Sequence, residues 1–267
     1  MAPSPIFNIA GDMNENSLAK NSSSQIAGGE QVGMGFWFPG HWVGGTTMIL
    51  GPILIFVGAL LRIQFHFFFP QQLAAFEARP TLMTASYNTF LAGNILMWPA
   101  IVTLARLIGA KRPGWAVCGG VFVIFGLFAR TFHAGVDHLA FQLVRAQNLE
   151  MATNAVASSY GAFHIVSMLN ACVFFGWTVL AIGAYLSGVL GLPRSIALGL
   201  MTALMIGVLK GSSMVSVIAT GGLCVALTPL GIKILREGPR PRPRAILGWS
   251  FLIIGLLVIL FFLGQAG

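Results

Sequence analysis

Charge is what this sequence has least of. Lys, Arg, Asp and Glu together make up 8% of its 267 residues, where a soluble domain carries roughly a quarter, and the shortage excludes an ordinary water-soluble globule. Acidic residues are the scarcer kind, 7 against 15 Lys and Arg, which leaves a formal net charge of +8. The basic residues stand as short clusters between apolar runs and form no single stripe, so no nucleic-acid partner is expected. Cysteine is confined to Cys118, Cys172 and Cys224. Each lies within an apolar run with no CxxC spacing, which argues against a disulfide framework or a thiolate metal site, and no CxxCH haem-attachment sequence is present. The start of the chain has no apolar core, so no cleavable signal peptide is expected.

What the sequence does have is apolar length. Hydrophobic residues make up 56% of it and the mean hydropathy is +0.83. A helix needs about 20 mainly apolar residues to cross a bilayer, and seven runs approach that length, at about 46–68, 84–107, 114–135, 161–186, 192–210, 213–234 and 246–265. The breaks carry turn chemistry: FFFPQQ, KRPG, GLPR, KGSS and EGPRPRPR. The expected fold is therefore all-α, a polytopic bundle of seven transmembrane helices over 33–267, preceded by a polar, disordered tail over 1–32. Phe36, Trp37, Phe38 and Trp42 then suit an aromatic belt at the first interface. The fifth run is the weakest, since it ends at Lys210 and only Gly211, Ser212 and Ser213 part it from the sixth.

Sidedness follows from the same basic clusters. Lys111 and Arg112, then Arg194, then Lys233, Arg236, Arg240, Arg242 and Arg244 follow the second, fourth and sixth runs. Seven crossings place all of them on one side, which the positive-inside rule makes cytoplasmic. The N-terminus is then cytoplasmic and the C-terminus extracytoplasmic. The chain is expected to be a multi-pass protein with the lipid bilayer as its main partner.

Polar residues gather at the extracytoplasmic ends. In FARTFHAGVDHLAFQLVR, Arg130, His133 and Asp137 stand at i, i+3 and i+7 on one helical face. An Asp beside a His fixes its tautomer and raises its basicity, and an Arg keeps the carboxylate ionised. These three are the candidate catalytic residues. Arg62, Glu77, His138 and Tyr160 share their level and are candidate substrate contacts. His66, His133 and His164, from three runs, could bind zinc or another divalent metal, which needs three protein ligands and a water for catalysis. A haem or quinone held by paired histidines is the lesser alternative. The bland readings are real too: charged groups at helix ends snorkel or staple loops, and FHFFFP reads equally as an aromatic anchor. Lys210 is read as snorkelling, because the fifth and sixth runs hold no carboxylate that could serve a retinal Schiff base as counter-ion.

From these residues the expected function is a membrane-embedded enzyme acting on an amphiphilic small molecule or lipid from the extracytoplasmic leaflet. The alternatives are a non-catalytic transporter, immunity or assembly protein, and a redox protein.

Overall fold

The computed structural model describes residues 37–159, 165–204, 207–239 and 243–265. The expected tail over 1–32, together with Tyr160, His164, Arg240 and Arg242, lies outside the described residues. Every described element is helical: α1 (His41–Leu61), α2 (Phe69–Ala78), α3 (Pro80–Gly109), α4 (Pro113–Ala146), α5 (Leu149–Ser159), α6 (Asn170–Leu186), α7 (Leu192–Gly199), α8 (Met214–Glu237) and α9 (Pro243–Gln265), with short 3-10 turns before α6 and after α7. Six stretches are long and apolar enough to cross a membrane: His41–Leu61, Pro80–Gly109, Pro113–Ala146, Ile165–Leu186, Met214–Glu237 and Ile246–Gly264.

Proline sets several of the helix starts. Pro80, Pro113 and Pro193 each sit in the first turn of α3, α4 and α7, where the missing N–H would have had no partner in any case. The breaks read from the sequence are thus the points where the next helix begins. Packing between the long helices depends on glycine. A Cβ on Gly93 of α3 would fall 2.6 Å from the Ile55 nitrogen of α1, and one on Gly119 of α4 would fall 2.7 Å from the Leu180 Cα of α6. Without a hydrophobic drive between helices in lipid, such backbone approach is what holds them together. Thus α1 lies against α3 and α8, and α4 against α3 and α6.

Because α4 runs for 34 residues, about 51 Å at 1.5 Å per residue, it is longer than the hydrocarbon core. Its last turns carry a separate apolar cluster that includes Leu73, Phe76, Met83, Phe141, Ala152 and Leu209. Phe76 stacks on Phe141 at 4.3 Å between centroids, and Tyr87 meets Phe141 edge-on at 5.0 Å. The short helices α2 and α5 form this cap.

The expected fifth span, 192–210, is not one continuous helix. The eight residues of α7 give way to a 3-10 turn over Leu200–Ala203, after which Leu204 turns extended. Gly207 and Leu209 have φ of 134° and 53°, and the helix does not resume until Met214, capped by Ser213 and Ser216. The reason is local: Gly207, Gly211, Ser212 and Ser213 interrupt the run with residues that favour turns over helix interiors. Gly188 at the end of α6 lies by Lys111, whereas Ser212 lies by Arg62. The broken segment therefore leads from the Lys111 end of the bundle to the Arg62 end. The helix α9 differs again, since it touches no other described element and its described side chains are exposed or nearly so.

Candidate functional site

The broken segment creates a problem that its neighbours solve. Backbone that leaves the helix within an apolar protein keeps N–H and C=O groups that need partners. Arg130 Nη2 donates to the Leu204 carbonyl at 2.8 Å, and Asp137 Oδ1 accepts the Leu209 N–H at 2.5 Å. The Gly211 N–H donates to the Phe67 carbonyl at 2.8 Å. Tyr87 donates its hydroxyl to Gln72 Oε1 at 3.0 Å and stands 3.5 Å from the Lys210 carbonyl, while Gln72 Nε2 donates to the His66 carbonyl. Leu209 is a fully buried residue held at positive φ, a conformation costing an L-residue about 1–2 kcal/mol. The Asp137 bond fastens the segment at that strained residue.

A cavity of about 50 Å³ remains between the segment and the helices, lined by Arg62, Tyr87, Arg130, His133, Asp137, Lys210, Ser212 and Ser216 among others. That is room for about four waters or one small polar group. Counted along α1, α3 and α4 from the Lys111 end, Arg62, Tyr87 and His133 each lie 20 to 22 residues away, about 30 Å, so the cavity sits one hydrocarbon thickness from the opposite face. Arg62 is 6% exposed. Its Nε donates to Ser212 Oγ at 3.1 Å, and its guanidinium lies 4.6 Å from the Tyr87 ring centroid and 4.5 Å from that of Phe90. Such cation–π contacts partly replace the lost hydration of a buried arginine.

A second, larger cavity of about 450 Å³ adjoins the first. Phe76, Leu91 and Phe141 give it an apolar wall, and Thr84, Asn88, His138, Gln142 and Arg145 supply polar groups. Tyr87, Ala134 and Asp137 line both cavities. A small chamber rich in cationic side chains thus lies beside a larger, mainly apolar one.

The structure brings Arg130, His133 and Asp137 to one cavity wall, as their spacing on α4 requires, and adds Arg62 from α1. His133 and Asp137 are buried. His138 is exposed and lines the larger cavity, one turn from Gln142. Glu77 is exposed on α2 and lines neither of these cavities. His66 is exposed in the turn before α2, with its ring 5.7 Å from that of Phe68. Among the described residues no three His, Cys, Asp or Glu side chains come together to hold a metal ion, so the set of His66, His133 and His164 has no support from the residues that are described. Gln72, Lys210, Ser212 and Ser216 were not marked as site residues by sequence reasoning. The signal that could have found them is the short fifth run itself, since a Gly- and Ser-interrupted apolar segment points to a broken helix and the site it lines.

No family model, curated protein or solved structure matches this chain, and its function is therefore read from the geometry alone.

Proposed function

We propose that this chain is a multi-pass membrane protein that takes up an amphiphile at the extracytoplasmic headgroup level and acts on it there. Its polar head enters the cavity beside the broken segment, and its apolar body lies in the chamber between α3 and α4. The observation that carries this is the pair of adjoining cavities sharing Tyr87, Ala134 and Asp137. Catalysis, in this reading, falls to His133, buried one helical turn from Asp137 on the cavity wall, where an imidazole can move a proton to or from a bound head. Arg130 and Asp137 hold the segment in place and are positioning residues first.

The sidedness belongs to the same reading. Six helices cross, the broken segment makes a further crossing, and the basic loops put the cavity on the extracytoplasmic face. In a chain stripped of its native cysteines, a single cysteine at Gln147 should label in intact cells and one at Lys111 only after permeabilisation; the reverse result reverses the leaflet.

The main test is lipid analysis of protein purified in mild detergent. A retained amphiphile is expected, and Leu91→Trp, which fills the larger chamber, should release it without loss of fold. If nothing is retained and the Leu91→Trp variant cannot be told from the parent, the reading fails. Where the retained molecule is converted on incubation, His133→Gln should stop conversion and leave binding intact. A second reading, transport without chemistry, is favoured by the broken segment, because carriers place such segments at their substrate sites; conversion that is abolished by His133→Gln would set it aside.

A further inference from the structure

The proposed reading leaves open what kind of head the small cavity accepts. We infer that it is an oxyanion site, for a carboxylate or phosphate group, built from the Arg62 guanidinium and the N-terminal end of α8. The inference rests on the amphiphile reading for what is attached to the oxyanion, but not for the oxyanion itself.

Arg62 is the first support. It is more than nine-tenths buried and lines the cavity. Its Nε is taken by Ser212 and its faces by Tyr87 and Phe90, yet neither Nη has a hydrogen-bond partner among the described residues, and no described carboxylate forms an ion pair with it. Arg62 thus lines a polar cavity with neither Nη committed to a described partner, and a guanidinium fork matches the two oxygens of a carboxylate or phosphate. Asp137 on the same cavity wall lies within electrostatic reach of Arg62 but is held by the Leu209 N–H, and the other charged side chains there, Arg130 and Lys210, are cations, so an oxyanion would balance the remaining positive charge.

The second support comes from another element. The 24-residue helix α8 begins at Met214 with Ser213 as its cap, and Ser216 of its first turn and Ser212 just before the cap line the same cavity. The positive end of its dipole thus lies against the chamber, a setting that favours negative charge. The cavity's 50 Å³ suits one such group in place of about four waters.

The experiment uses the full-length protein in phosphatidylcholine nanodiscs, titrated with decyl phosphate, decanoate, decanol and inorganic phosphate, with thermal unfolding and calorimetry as readouts. Decyl phosphate and decanoate should bind and raise the unfolding temperature, with decanol roughly tenfold to a hundredfold weaker, the worth of a charged hydrogen bond. Arg62→Gln should remove that preference, and Arg62→Lys should restore part of it, because the charge returns without the fork. Equal binding of decanol and decyl phosphate overturns the oxyanion site and leaves the amphiphile reading standing. Inorganic phosphate binding as tightly as decyl phosphate keeps the oxyanion site and removes the amphiphile. Binding by none of them sinks both. If Arg62→Gln does not fold, the ligand series on the unaltered chain still decides.

Discussion

At the Lys111 end, α3 and α4 flank an open hollow of about 370 Å³ lined by Val102, Ala105, Pro113, Ala116, Val117 and Ile124 and their small or aliphatic neighbours. At the Arg62 end, a chamber about one seventh that size is lined by two arginines, a lysine, a histidine, a tyrosine and an aspartate. The two ends differ in backbone before they differ in side chains. Around the first cavity α3 and α4 keep to helix up to the turn that joins them, so its wall can be almost wholly apolar and suits a lipid tail. Around the second, one segment has left the helix, and polar side chains must come in from α3 and α4 to meet it. Part of the charge that looks functional in the sequence is therefore the cost of breaking a helix inside a membrane protein. What exceeds that need, Arg62 above all, is where recognition of a ligand is to be sought.

This contrast can be broken at either end. The largest effect is expected from Gly93→Leu, because its Cβ would meet the Ile55 nitrogen at 2.6 Å and the Gly51 carbonyl oxygen at 2.8 Å, atoms of α1's backbone that cannot yield without parting the helices. A loss of about 3 kcal/mol or failure to accumulate folded protein should follow; thermal unfolding in detergent equal to that of the parent would contradict the glycine-bound account of the helix packing. Asp137→Ala should come next, about 1–3 kcal/mol, because the buried Leu209 N–H loses its acceptor. Asp137→Asn keeps an oxygen there and should lose less. Equal effects of the two in chemical denaturation would mean that the charge, and not the backbone bond, is what matters at this position. Asn94→Ala should cost about 1 kcal/mol, since its Nδ2 donates to the Leu127 carbonyl at 3.1 Å and to Thr131 Oγ1 at 3.2 Å across the α3–α4 seam. Smallest of all is Lys233→Ala. Its pairing with Glu237, 3.9 Å apart and largely exposed, should contribute less than about 0.5 kcal/mol, and a larger shift would show that the basic end does more than set sidedness.

Much of the frame was legible because hydrocarbon imposes simple demands. Run lengths gave the six helices that the structure shows as candidate spans, and Lys-Arg-Pro-Gly and similar breaks gave their starts. The alignment of Arg130, His133 and Asp137 could be read from spacing on one helix, since α4 continues unbroken past all three. The fifth run misled because hydropathy counts apolar residues and does not ask whether their backbone stays helical. The polar contacts of that segment were equally hidden, since they are made by backbone: the carbonyls of Lys210 and Leu204 are met by Tyr87 and Arg130. His66 showed the opposite limit. Its level was right, but the turn between α1 and α2 leaves it exposed beside Phe68, and the direction in which a side chain leaves a turn is not written in its distance along the chain. The partnership of Arg62 with Ser212 spans 150 positions, and no local pattern foretells it.

The last helix offers a practical handle. Since α9 shares no packing with the rest of the described protein, a reporter joined behind it reads out on which side the chain emerges while leaving both chambers undisturbed. By the same token, a protein ending after Pro239 should melt at the temperature of the whole chain.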